Sequence, residues 1–319
     1  MTVYKLQKSA LPKFLESLKK GSQVFAPVKR DVIRFEPLGN PADVDLSANS
    51  YFPLKEYFFP PKEVLFHFSK KGVSAPVKRA EKRIFFGVRR CDLAAIQRQD
   101  LVFIKQQKDP YYAKRRENSL LIGYHCNTPP SSYCFCGSMG LEDFYDLMFF
   151  DRGSHFLVHA KTAAGQSLAK NKFFNKTPRK ITDKERRIRT RALKKDISQL
   201  YNNKGWKPLA KRCLSCAACT ELCPTCYCYE IRDEPSIEGP YKGKRCRSWS
   251  SCQLKDFTRV AEGHVFREKR EERFKHRIYH QIQYFKERNK INLCTGCGRC
   301  VAGCPARIDW VKAVNRMKK

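Results

Sequence analysis

The sequence predicts an α+β chain: a mixed α/β domain over residues 1–165, a basic helical linker over 166–205, and a predominantly helical domain over 206–319. Three observations predict it. Lys82 to Val88 and Ser119 to Tyr124 are short apolar runs between polar flanks, the pattern of strands buried on both faces. Phe274, Ile278, Ile282 and Phe285, preceded by Phe257, Val260 and Ala261, keep a helical beat through the last third. Between these parts the composition shifts: residues 166 to 212 hold 16 Lys or Arg against Asp183, Glu185 and Asp196.

In the first part, Cys91-Asp-Leu-Ala-Ala-Ile begins where the first apolar run ends, which puts a cysteine at a strand-to-helix turn, a good place for a ligand. Cys126 ends the second run, and Cys134 and Cys136 follow in a loop with Pro129, Pro130 and Gly137. Parallel neighbouring strands set their C-terminal ends side by side, so these four cysteines can meet. On chemistry alone they could hold an iron–sulfur cubane or a zinc ion, or remain unliganded core thiols. His155 to Ala160 and the short run after Gly165 read as a hairpin. In the basic segment Ile188, Leu193, Ile197 and Leu200 have helical spacing, so one face could pack while the other stays charged.

The last part contains the most specific signal. Cys213-Leu-Ser-Cys216-Ala-Ala-Cys219-Thr-Glu-Leu-Cys223-Pro224 and Cys294-Thr-Gly-Cys297-Gly-Arg-Cys300-Val-Ala-Gly-Cys304-Pro305 both follow the bacterial ferredoxin run, in which three thiolates wrap one cubane and the fourth reaches to the other. The proline ends each loop and starts a helix with its fixed φ. The pairing rule assigns one [4Fe-4S] cluster to Cys213, Cys216, Cys219 and Cys304, and a second to Cys294, Cys297, Cys300 and Cys223. Seventy residues separate Cys223 from Cys294, too many for a compact two-hairpin ferredoxin and enough for helices between the halves.

Composition bounds the setting. Sixteen cysteines without a secretory N-terminus point to metal ligation in a reducing cytoplasm. The longest apolar strings, such as Leu147-Met-Phe-Phe150, fall far short of the roughly 18 residues a membrane span needs. A net charge of +33 suits docking onto acidic protein partners, a solvated face, or steadying anionic clusters. Nucleic acid is disfavoured, because no aromatic residues interleave with the basic ones in an RNA-binding pattern. There is no G-x-G-x-x-G fingerprint, no phosphate loop, no haem-attachment motif and no C-x2-C pair suited to a NiFe centre, and the seven histidines form no metal pair. The chain is therefore expected to have no catalytic residues of its own and no cofactor site beyond its clusters.

Lys55-Glu-Tyr-Phe-Phe-Pro-Pro-Lys-Glu63, Phe86-Gly-Val-Arg-Arg-Cys-Asp-Leu93, Asp109-Pro-Tyr-Tyr112, Arg115-Arg-Glu-Asn118, Cys134-Phe-Cys-Gly-Ser-Met139 and Cys223-Pro-Thr-Cys-Tyr-Cys228 occur in an order that resembles one family. It is the iron–sulfur dicluster family of the beta subunits of cytosolic NiFe sulfhydrogenases and the A subunits of anaerobic sulfite reductases, and the similarity runs from about residue 10 to 310. One departure stands out: the family shows an acidic residue before Ser-Cys where this chain has Trp249-Ser-Ser-Cys252.

The resemblance implies an alpha-helical ferredoxin domain appended to a mixed α/β domain, in a hetero-oligomer. The chain would carry electrons between a flavoprotein that handles NAD(P)H and a separate catalytic subunit, a hydrogenase first and a sulfite reductase second. It also favours a third [4Fe-4S] cluster on Cys91, Cys126, Cys134 and Cys136, which are taken to fall inside family motifs. Cys226, Cys228, Cys246 and Cys252 are expected to pack around the diclusters or to donate weak S–H hydrogen bonds to their sulfides. His264 and Arg267 are expected to pack rather than ligate.

Overall fold

The computed structural model describes residues 2–76, 81–237 and 239–318. An eight-stranded sheet forms the first part. Its strands are β1 (Thr2–Gln7), β2 (Gln23–Lys29), β3 (Ile33–Pro37), β6 (Arg83–Val88), β7 (Ser119–Tyr124), β8 (Leu147–Asp151), β9 (His155–Ala160) and β10 (Asn175–Thr177), ordered β10-β1-β9-β8-β7-β6-β2-β3. The centre, β2-β6-β7-β8, is parallel and the flanks are antiparallel. Along β6 the side chains alternate between two cores: Ile84 and Phe86 join one with Phe14 and Phe149, while Phe85 and Val88 join the other with Phe58 and Tyr112. Both apolar runs read from the sequence are therefore strands covered on two faces, as their unbroken hydrophobicity requires.

Because β6 and β7 are parallel neighbours, their C-terminal ends lie together. The helix Arg90–Asp100 starts immediately after β6 and carries Cys91 in its first turn. Cys126 follows β7 by two residues. This is the adjacency the sequence predicted.

Three expectations change. The partner of β9 is β8, which precedes it, and the segment after Thr162 is the helix Ala163–Leu168, whose N-terminus Thr162 caps through Gly165 N–H. The eight-stranded sheet also continues past residue 165, since β10 pairs with β1. Between residues 169 and 205 only Asp183–Arg186 is α-helical, and Ile197–Leu200 forms a 3-10 turn. Residues 187–196 run as a strap because groups elsewhere in the chain pair with their polar atoms. Gly137 N–H donates to Thr190 Oγ1 at 3.2 Å, Ser138 Oγ accepts from Leu193 N–H at 3.1 Å, and Asn315 bridges Ala192 O and Lys194 N–H at 2.8 Å each. A helix would have kept those groups for itself.

The last part is not wholly helical. A hairpin of β11 (Tyr229–Ser236) and β12 (Gly239–Trp249) fills under a third of the interval between the two cysteine runs. It joins β4 (Lys62–Ser69) and β5 (Gly72–Ser74) in a second sheet, ordered β11-β12-β4-β5, so the two halves of the chain share strands. The predicted helix is present at Arg270–Tyr279 and continues through a π-helical turn, His280–Tyr284, into Phe285–Asn289. Phe257, Val260 and Ala261 lie instead in or beside short 3-10 turns. No helix among the described residues is long and apolar enough to cross a membrane.

Candidate iron–sulfur centres

The two cysteine runs fold as the same loop twice. In the first, Ser215 and Ala217 have φ of 52° and 65°, and in the second Gly296 and Gly298 stand at the matching places with 68° and 78°. In both loops the first positive-φ residue turns its N–H back to the first cysteine, Ser215 N–H to Cys213 Sγ at 3.4 Å and Gly296 N–H to Cys294 Sγ at 3.3 Å. The second becomes the N-cap of a short helix, Ala218–Glu221 or Arg299–Ala302. N–H groups aimed at the sulfurs stabilise thiolates and tune any cluster they hold.

Cys213, Cys216, Cys219 and Cys304 line one cavity, together with Cys300, Arg277 and Trp310. Trp310 Nε1–H donates to Cys300 Sγ at 3.5 Å, and Ile308 N–H to Cys304 Sγ at 3.4 Å. The second set gathers beside it. Burial above all, then the charges of Cys300, Cys223 and Cys297, pushes the Cys294 thiol well up. Cys294 N–H reaches Gln281 O, in the π-helical turn, at 2.9 Å.

All four N-terminal cysteines, Cys91, Cys126, Cys134 and Cys136, line a third cavity with Arg89, Arg90 and Cys297. Arg89 Nη1–H donates to Cys126 Sγ at 3.6 Å. This cavity is stapled to the second cysteine run: Phe135 N–H donates to Gly296 O at 2.8 Å and Cys134 Sγ to Cys297 O at 3.7 Å. The approach is so close that a Cβ on Gly296 or Gly298 would stand 2.6 Å from the backbone of Cys136 or Tyr133. Hence only glycine serves at both places.

The donor chemistry fits [4Fe-4S] clusters. Among the described residues no three Cys, His, Asp or Glu side chains are grouped closely enough to hold a single metal ion. Ser215 Oγ, Thr295 Oγ1 and Arg277 Nε are buried without a hydrogen-bond partner among the described residues, all in or against the cysteine loops. Burial pushes the thiols of Cys136, Cys219 and Cys297 up to about 12, so cluster binding must release their protons.

Sequence reasoning allowed for cations that steady the clusters but did not single out which residues they are. Arg277 donates to Cys219 O at 2.9 Å, and Lys55 Nζ donates to the carbonyls of Thr220 and Cys226 at 3.2 and 3.3 Å while standing 4.0 Å over the Trp249 ring. Neither makes an ion pair with a carboxylate among the described residues. Burial pushes Lys55 down, and the nearby Cys226 and Cys223 push it back up. Arg299, by contrast, is buried in a bidentate pair with Asp92 at 2.7 and 2.8 Å and also holds Ser50. Lys55 opens one family motif and Arg299 lies inside the second cysteine run, but nothing in their spacing marks them as buried. The remaining thiols behave as expected in part: Cys226 donates to Cys223, and Cys246 sits in β12 opposite Arg232 and Val64.

Comparison with known proteins follows the same lines. A family profile described as a 4Fe-4S dicluster domain matches residues 212–308. The chain is 32% identical, over 338 aligned positions covering all of it and 99% of the relative, to sulfhydrogenase 2 subunit beta of Pyrococcus furiosus. No solved structure matches.

Proposed function

The chain belongs to the iron–sulfur family of sulfhydrogenase beta subunits, and from that premise we propose that it relays single electrons between a flavoprotein partner that handles NAD(P)H and the catalytic subunit of a NiFe hydrogenase complex. The observation that supports this most is the order of the three cysteine sets. Cys297 of the second set lines the N-terminal cavity, and Cys300 of the same set lines the cavity of the first. Three sets in line, each sharing a wall with the next, suit electrons passing in sequence.

In this reading Cys91, Cys126, Cys134 and Cys136 hold one [4Fe-4S] cluster, Cys294, Cys297, Cys300 and Cys223 a second, and Cys213, Cys216, Cys219 and Cys304 a third. Each cluster, when bound, takes up and gives back one electron at a time. The protein's own contribution is the field around them. Arg89, Arg277 and Lys55 offset thiolate charge, and Trp310 and the loop N–H groups fix the sulfurs. Cys216 is the most exposed of the sixteen cysteines, and its neighbour Leu214 is 63% exposed, so this end of the row is where a redox partner can approach.

The basic segment takes a narrower part than its charge suggests. Arg186 pairs with Asp143 at 2.6 Å and Arg191 with Asp309 at 2.5 Å, so both hold this chain together. Arg187, Arg189 and Lys194 are exposed and face outward for an acidic partner.

A nucleotide site is not part of the proposal. A cavity of about 980 Å³ lies at the starts of β6 and β7 by Lys82, Ser119 and Lys170. Ligands of parallel sheets bind at the opposite, C-terminal ends, and those are occupied by cysteines. The cluster-loaded chain alone should therefore be bleached by dithionite and not by NADPH, since a hydride carrier needs a flavin to split its electron pair. Adding the flavoprotein partner should restore bleaching by NADPH. Rapid bleaching by NADPH with neither flavin nor partner present would sink the relay reading.

A further inference from the structure

Two thiols outside the three sets are placed as a pair. Cys228 immediately precedes β11, and Cys252 follows β12 by three residues. The hairpin register sets Tyr229 opposite Trp249, and Ser250 N–H donates to Cys228 O at 3.0 Å, so the base of the hairpin brings both cysteines together. There the Cys252 thiol faces the Cys228 sulfur closely enough to lower the Cys228 pKa by hydrogen bonding. Thr220 Oγ1 bonds Ser251 Oγ at 2.8 Å and fixes this corner against the first cysteine run.

The surroundings favour a thiolate. Lys55 and Arg277, both buried without a carboxylate partner among the described residues, are among the charges that act on Cys228. The hydrogen bond from Cys252, with those cations, brings the Cys228 thiol down to about 7. A thiolate beside a thiol, braced by a hairpin base and faced by fixed positive charge, is the arrangement of a redox-active dithiol.

We propose that Cys228 and Cys252 form a reversible dithiol–disulfide couple, a two-electron store beside the one-electron iron–sulfur sites. The proposal rests on the relay reading, since the reductant is the neighbouring iron–sulfur centres. Reduction breaks the Cys228–Cys252 S–S bond with two electrons delivered singly, and the donors are oxidised by one electron each. One proton from solvent goes to Cys252, and Cys228 stays a thiolate against the Lys55 ammonium. Oxidation runs the same balance in reverse. Stabilising the reduced form raises the couple's potential, so electrons supplied to the row collect there. Cys252 also lies close enough to Cys219, a ligand of the first set, to act on its charge.

The test uses the anaerobic, cluster-loaded chain, poised with dithionite or with ferricyanide, quenched in acid, alkylated and mapped by mass spectrometry. The Cys228 and Cys252 peptides should be alkylated after reduction and joined to each other after oxidation, with Cys246 alkylated in both. Cys252→Ser should abolish the joined peptide and leave iron content unchanged. Lys55→Met should make the disulfide about tenfold harder to reduce, a shift of ~30 mV. Alkylation of both residues at every potential with iron intact would overturn the proposal. Loss of iron in Cys252→Ser would overturn it too, by making that residue a cluster ligand. Electron paramagnetic resonance of the clusters in the same samples tests the relay reading separately.

Discussion

Replacing Cys134 and Cys136 together by serine should lower the iron of anaerobically purified protein from about 12 to about 8 per chain, with acid-labile sulfide falling in step. Both side chains line the N-terminal cavity with Cys91 and Cys126, and serine offers a hydroxyl in place of the soft thiolate that iron–sulfur clusters require. The other eight ligands lie in the two ferredoxin-type runs, so their two clusters should remain and still bleach with dithionite. Cys216→Ser, by contrast, should remove or convert the cluster nearest the surface while leaving the N-terminal one. Cys246→Ser should change nothing, because that residue is a buried packing group in β12. About 8 iron already in the unaltered protein, unchanged by the double substitution, would remove the N-terminal cluster from the proposal.

What could be read from the sequence divides along a physical line. The cysteine runs were legible because ligand spacing within one loop is a local property, and the structure repeats that loop twice with matching positive-φ residues. The β6 and β7 strands were legible because burial on both faces leaves an unbroken apolar run. The strap at 187–196 was not: its helical apolar spacing is real, but Thr190, Leu193 and Lys194 are held by Gly137, Ser138 and Asn315, partners between 50 and 125 positions away. The β11–β12 hairpin escaped notice for a similar reason. Its burial alternates only weakly, since β11 is a largely exposed edge strand, and it takes its stability from pairing with β4 across the chain. The counter-charges were hidden as well. Lysine and arginine are read as surface residues by default, and in a chain of +33 four buried cations near the clusters, Lys55, Arg89, Arg277 and Arg299, do not stand out.

Asp92→Leu should destabilise the protein by about 3 to 5 kcal/mol, among the largest effects open to a single substitution outside the cysteines. The Asp92 and Arg299 side chains are 1% and 6% exposed, and together they tie the helix after β6 to the helix inside the second cysteine run. Asp92 also sits in the first turn of its helix, where the dipole favours a negative charge. Removing it leaves a guanidinium buried with only Ser50 and the nearby thiols Cys297 and Cys91 for company. Those thiols become anionic when they ligate iron, so the loss should be greater in chelator-treated protein than in cluster-loaded protein. Asp92→Leu combined with Arg299→Met should recover most of the stability, because a buried pair replaced by apolar groups of similar volume leaves no charge uncompensated. Chemical unfolding followed by far-ultraviolet circular dichroism, on both forms of each variant, gives the comparison. An Asp92→Leu protein as stable as the parent in both forms would mean that Arg299 finds water or another partner, and would take away its role as the clasp between the N-terminal cysteine set and the second run.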